Sequence, residues 1–300
     1  MIWVNQVVQG VLLGGYYAVL ACGLSLMFGV MRIINLAHGD LAVLGAFLVW
    51  VLAAHHGLSP WIALVIVLPI MAALGWALQM TLLERSLRSG VLTPLLTTFG
   101  LAIVIQNLLF EAYGADQRSL FPYIGTLGFD HWTITSQIQV GKLYVLIFVV
   151  AVALLGGFHL FLRRTPPGRA LRATAEDPDT AELVGVNSRA VYAFAAAIAV
   201  ATAGLAGAFL GMRSSFNPYS GSQQLIFGFE AVVIGGIGSL WGTLLGGIVL
   251  GVSQSIAAQI NPQWFLLAGN IVFLLVVVGR MLLAGMRARG GIRDVLGQRT

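Results

Sequence analysis

The chain has 300 residues, 58% of them hydrophobic and only 9% charged, with a mean hydropathy of +0.91; a soluble domain carries roughly 25% charged residues, so an integral membrane protein is expected. The net charge of +5 does not point to nucleic acid, because the basic residues stand at the ends of apolar runs and form no patch with interleaved aromatics. The single cysteine, Cys22, lies inside an apolar run, which excludes a disulfide framework or a thiolate metal site within one chain.

With about 20 apolar residues per span, helices are predicted near 7–30, 36–54, 60–83, 92–112, 141–162, 190–212, 223–237, 242–259 and 264–284. The expected fold is an all-α, polytopic transmembrane bundle of eight or nine spans, eight if one of the short pieces is re-entrant. Residues 1–300 read as one membrane domain with a polar loop at 163–189 and a short basic tail at 285–300. Met1 to Gln6 holds no Lys or Arg, so it lacks the basic start of a cleaved signal peptide, and Val7 onward reads as a retained span.

Charge asymmetry orients the bundle. With nine spans and the amino terminus outside, the inside receives Arg32, Arg85, Arg88, Arg163, Arg164, Arg169, Arg172, Arg189, Arg280, Arg287, Arg289, Arg293 and Arg299, whereas the outside holds only Arg118, Lys142 and Arg213. The polar loop and the carboxyl terminus are then cytoplasmic, and Tyr113 to Val140 is the main external loop.

Taken in order, the first polar cluster is Asn35, His38 and Asp40 around Gly39. Polar groups beside a membrane helix must find partners or water. The cluster therefore either locks a bend in a broken helix or faces an aqueous path. Glu84 with Arg85 and Arg88 reads as a solvated inner loop, and Gln106 and Glu111 read as interfacial groups near the outer end of their span.

The segment from Arg163 to Arg189 is too charged for lipid, yet it is rich in folding signals. Pro166 and Pro167 stop the preceding helix, and Arg169 to Ala175 are good helix formers. Asp177 is placed to cap a second helix with Pro178 at its first position, and Gly185 suits a left-handed C-terminal cap. Two short helices joined at Glu176-Asp177 are expected. They would present Leu171, Ala181, Leu183 and Val184 as apolar knobs among Arg169, Arg172 and other charges, an element suited to being held by another protein.

Glu230 lies between apolar neighbours in a span, which is the setting of a functional group on a cavity or of a desolvated acid. Dense glycines at 10, 14, 15 and 23 and again from 228 to 251 fit close helix packing. HGDLAVLGAFLV from His38 and IGSLWGTLLGGIV from Ile237 faintly echo one another, as the interrupted helices of transporters do. No serine has the setting of an intramembrane protease, and no His pair has zinc spacing apart from the adjacent His55-His56. The only lysine, Lys142, is followed by Leu143, so a phosphate-binding loop is excluded and with it an ATPase.

INLAHGDLAVLGAF (34–47), GRALRATAEDPDTAELVGVN (168–187) and VVIGGIGSLWGTLLGG (232–247), in this order and spacing, resemble the permease subunits of branched-chain amino-acid ABC importers, and the first resembles the LivH-type half in particular. The resemblance covers Val7 to Leu283. It implies a non-catalytic permease of the bacterial cytoplasmic membrane whose 168–187 loop couples to a cytoplasmic ATPase. The implied partners are a sister permease of the LivM type, two ATPase subunits, an external solute-binding protein and membrane lipid. No cofactor belongs to this chain; ATP and Mg would bind the ATPase subunits. Asn35, His38, Asp40 and Glu230 would line the substrate pathway, used by alternating access. Glu230 stands where a neutral or basic residue is expected in this half, and the family includes importers of urea and amides. Those remain alternative solutes, and a stand-alone secondary transporter or channel is the alternative mechanism.

Overall fold

The computed structural model describes the backbone of residues 2–87, 89–90, 92–135 and 138–297, and their side chains except at 134, 135, 138 and 283–297. Arg88 and Arg299 from the charge count lie outside the described residues, as do the side chains of Arg287, Arg289 and Arg293 in the basic tail.

The chain is an all-α polytopic bundle. Its helices are α1 (Ile2–Met31), α2 (His38–His56), α3 (Pro60–Leu78), α4 (Glu84–Leu87), α5 (Thr93–Tyr113), α6 (Lys142–Arg164), α7 (Pro166–Glu176), α8 (Pro178–Leu183), α9 (Ser188–Arg213), α10 (Gly221–Gly235), α11 (Leu240–Ile260) and α12 (Trp264–Gly297). A π-helical turn, Gln79–Leu83, joins α3 to α4. Among the described residues, eight helices are long and apolar enough to cross a membrane. The remaining predicted span, 223–237, is α10 and has 15 residues, about 22 Å at 1.5 Å per residue, short of a hydrocarbon core of about 30 Å.

Helices α1 and α9 form the centre: 83% of the apolar window of each is buried, against 6% for α12. Neither has a polar face, as expected of a helix surrounded by others. Small residues set the closeness of packing. Gly10 and Gly14 of α1 lie against the backbone of α11 at Gly251-Val252 and Gly247-Ile248, and Gly45 of α2 lies against Gly204 of α9. A side chain at any of these would push two backbones apart, so the glycines are the packing surface itself. The pairings also fix the depth scale: α1 and α11 run antiparallel, with Gly29 meeting Gly238 at one end and Gly10 meeting Val252 at the other.

Between α5 and α6 the chain forms a short hairpin, β1 (His131–Thr135) and β2 (Ile138–Gly141), antiparallel with His131 opposite Gly141. Gln9 Nε2 donates to the Gln139 carbonyl at 2.7 Å, which fastens the hairpin over the start of α1.

Candidate functional site

Two helices begin inside the bundle instead of at its surface. After α1 ends at Met31, Arg32 takes a left-handed conformation (φ 56) and the chain turns back along α1. Asn35 Oδ1 accepts the Ala37 amide at 3.0 Å, and Leu36 N donates to Thr98 Oγ1 at 3.1 Å. The fully buried His38 then donates from Nε2 to the Leu20 carbonyl at 3.0 Å, and its ring lies against Gly23. Helix α2 therefore starts level with Leu20 to Gly23, well inside the length of α1.

The second such helix is α10. Beyond Arg213 the chain pairs with the loop between α5 and α6 through reciprocal Arg118–Phe216 backbone bonds of 2.8 and 2.9 Å, then turns back into the bundle. Asn217 and Ser220 form a capping box around the single turn Pro218–Ser220, and α10 starts at Gly221. The two starts meet: a Cβ on Gly39 would collide with the Gly221 carbonyl, and one on Gly221 with the Asp40 carboxylate. Asp40 sits in the first turn of α2 and against the first residue of α10, where helix N-termini favour a negative charge.

Gln106 of α5 completes this junction. Its Nε2 donates to Asp40 Oδ1 at 2.9 Å and reaches Ser222 Oγ at 3.4 Å. Beside it Asn107, Ser222 and Gln223 are exposed on the lone chain. Gln106 lies about 10 Å inside the end of α5, a depth where a polar face needs protein or water against it and not lipid. The interfacial reading of Gln106 is thus corrected. The missed signal was the Gln-Asn pair within an apolar run.

Glu230 lies farther along α10 on the stripe shared with Gln223 and Ile226. It is 3% exposed and makes no hydrogen bond or ion pair among the described residues. The structure brings Asn35, His38 and Asp40 into one junction and leaves Glu230 apart, toward the other end of α10. Glu84 is not a solvated loop residue: it is buried, with Arg189 Nε 3.9 Å from its carboxylate.

The polar segment 163–189 folds as two short helices. Thr165 caps α7 by accepting the Gly168 amide at 3.1 Å, so Pro166 and Pro167 open α7 as well as ending α6. Asp177 Oδ1 accepts the Asp179 and Thr180 amides, both at 3.1 Å, while Oδ2 accepts the Thr180 hydroxyl at 2.6 Å. These bonds hold the Asp177 carboxyl below its ordinary pKa, the Thr180 hydroxyl foremost. Pro178 is the first residue of α8, and Gly185 follows it at φ 86.

Two of the four expected knobs point inward. Leu171 is 1% exposed and belongs to one buried cluster with Leu26, Met27 and Val30 of α1, and Ala181 is buried as well. The spacing of Gly168, Leu171 and Thr174 makes one buried stripe on α7, and the mixed polarity of the segment hid it. Leu183 and Val184, at 87% and 76% exposed, are the knobs that remain, among the exposed Arg169, Arg172, Glu176 and Asp177.

Comparison with known proteins decides the family. The profile described as "Branched-chain amino acid transport system / permease component" matches residues 6–281. This chain belongs to that family. The permease is 31% identical over 269 residues to the high-affinity branched-chain amino acid transport system permease protein BraD of Pseudomonas aeruginosa, covering 86% of this chain and 87% of BraD. It is 29% identical to LivH of Salmonella typhimurium over 85% of this chain and 86% of LivH. The LivM permease protein of Escherichia coli matches at 28% identity, over 87% of this chain and 66% of its own length. No solved structure matches the permease.

Proposed function

We propose that this chain is the LivH-type permease half of an ABC importer that carries branched-chain amino acids across the bacterial cytoplasmic membrane, paired with a LivM-type half and driven by two ATPase subunits. Its amino terminus faces outward and its carboxyl terminus the cytoplasm, and an external binding protein delivers the solute. The observation that carries the reading is the α7–α8 pair: capped at both starts, seated on α1 through Leu171, and offering Leu183 and Val184 uncovered by any of the described residues. An exposed adjacent pair of apolar side chains on a rigid mount is an anchor for a protein groove.

The same contacts suggest how the stroke travels. A push on α7 reaches Met27 through the Leu171 cluster, Met27 touches the Asn35 amide at 3.6 Å, and the Asn35 loop sets the start of α2. Asp40 and Gln106 lie at that start, so a small displacement alters the polar junction where α2 meets α10. Alternating access would then open the face of the junction that carries Asn107, Ser222 and Gln223 first to one side and then to the other, with Glu230 farther along the path. The amino-acid ammonium is suited to Asp40, since a charge-assisted hydrogen bond is about twice as strong as a neutral one. The test replaces Leu183 and Val184 together by Asp. Uptake of leucine should be abolished with the protein present at normal level, and the ATPase subunits should no longer co-purify; normal uptake would sink the docking reading.

A further inference from the structure

At the end of the bundle that carries the β-hairpin, the starts of α1, α6 and α12 and the ends of α9 and α11 surround a cavity of about 290 Å³. Its polar lining is Gln6, Gln9, Tyr144, Arg213, Ser255 and Gln259. That size sits at the lower edge of small-molecule sites, roughly 300–1,000 Å³.

Three basic side chains belong to this end, and two are ion-paired, although the buried Nε of Arg118, like that of Arg213, has no hydrogen-bond partner among the described residues. Lys142 Nζ is 2.8 Å from Asp130 Oδ2, and Arg118 is 3.5 Å from Asp116 and donates to the Tyr113 carbonyl at 3.2 Å. Arg213 has no ion pair among the described residues, and its buried Nε has no hydrogen-bond partner there. Its guanidinium is held 4.6 Å over the Tyr16 ring, so it is positioned without being neutralised. Among the described residues, no carboxylate lines the cavity. A partly desolvated cation left unpaired is costly, and it becomes favourable when a planar anion takes both donors of its fork.

The amides around it are already oriented. Gln6 Nε2 donates to Gln259 Oε1 at 2.5 Å, and Ser255 Oγ donates to Gln6 Oε1 at 2.9 Å. This fixes Gln259 with its own NH₂ free of any described bond. Beneath the arginine, the Tyr16 hydroxyl donates to Gln224 of α10 at 2.7 Å, so the ring that carries Arg213 touches the helix that begins at the Asp40 junction.

We propose that this cavity is a carboxylate site for a small zwitterionic amino acid, with Arg213 as the bidentate partner of the carboxylate and Gln259 as a further donor. It deepens the permease reading, on which it rests for the identity of the solute, by placing a first recognition step at the outer end of the path.

The test uses cells that express the chain with the components of its importer and an Ala258→Cys substitution on the cavity wall; the native Cys22 is buried. A membrane-impermeant maleimide reports the rate of modification. L-Leucine is expected to slow it, while isoamylamine, which is leucine without the carboxylate, leaves it unchanged. In Arg213→Gln the leucine concentration for half-protection should rise about tenfold or more, the loss of one charge-assisted contact. Should Arg213→Gln fail to accumulate, Arg213→Lys must weaken protection while leaving the unprotected rate unchanged. Equal protection by leucine and isoamylamine overturns the proposal, as does protection that survives both substitutions or that appears only with the external binding protein bound. Leucine uptake is measured in parallel. Uptake without protection removes the cavity site and spares the permease reading; protection without uptake supports the site and removes that reading.

Discussion

The α7–α8 pair and the junction of α2 with α10 are both built from helix starts, yet they are held by opposite means. In the first, side chains at the surface do the fastening: Thr165, Asp177 and Asn187 accept the free amides of the helices they precede. In the second, backbone meets backbone. Gly39 and Gly221 admit contact between two main chains, and the cap of α10 is inherited from the turn before it. Water stands in for a lost surface cap, whereas nothing can replace a lost glycine between packed main chains. The part held by surface caps can bend to a partner, and the part held by glycine contacts sets the shape of the bundle.

The largest expected effect therefore falls on the junction. Gly221→Val or Gly39→Val places a branched side chain inside another backbone, and overpacking of a close-packed site costs about 1–3 kcal/mol or more. Both variants should lower the yield of folded protein and its melting temperature in detergent. The comparison breaks if either variant accumulates and transports normally. Leu183→Asp with Val184→Asp is the opposite case, with uptake lost and melting unchanged, because surface substitutions shift stability by less than about 0.5 kcal/mol. A smaller change is expected at Glu230→Gln, which keeps volume and removes the charge. Uptake should shift between an aliphatic amino acid and a neutral amide at constant protein level; an unchanged ranking would remove Glu230 from solute choice.

Gly185→Val sharpens the comparison from the surface side. No atom lies within 4 Å of a Cβ built there, so the only cost is the left-handed backbone at φ 86, of order 1–2 kcal/mol. That is enough to loosen α8 and too little to unfold the bundle. Partial uptake with intact melting is expected, and rescue by Gly185→Asn, which tolerates this conformation better.

The spans were legible because burial in lipid demands a long apolar run whatever the tertiary structure, and the predicted edges lie within about five residues of the helices except at the end of α12, which runs to Gly297, past the predicted 284. Caps were legible too, since Asp177-Pro178 and Gly185 act within one turn of themselves. What could not be read was direction and depth. Leu171 and Leu183 look alike in a charged segment, and only the partner surface on α1 separates the buried one from the exposed one. Hydropathy places a helix start near Leu36, but it carries no information that the start lies beside Leu20 inside the bundle. The Gln106 to Asp40 bond joins residues 66 positions apart, and no local pattern announces it. In the sequence Arg213 reads only as a topology charge, and its lack of an ion pair becomes visible once Arg118 and Lys142 are seen with Asp116 and Asp130.

The smallest effect concerns the acid limit of α8. Asp177 accepts from the two amides and the Thr180 hydroxyl more strongly as a carboxylate than as a neutral acid, and its folded pKa is accordingly depressed, first by the hydroxyl and then by the Thr180 amide. A depressed carboxyl contributes stability that is present above its unfolded pKa, about 3.9, and is lost as pH falls through the lower folded value. Amide exchange at Asp179 and Thr180, corrected for the intrinsic rate, should thus be protected at neutral pH and lose protection below about pH 4. Asp177→Asn keeps an oxygen for the amides and has no proton to gain, so its protection should be flat across the same range. If wild type is equally flat, the Asp177 carboxylate is not what holds the start of α8, and the contrast between side-chain caps and glycine contacts fails on the side where it is simplest to measure.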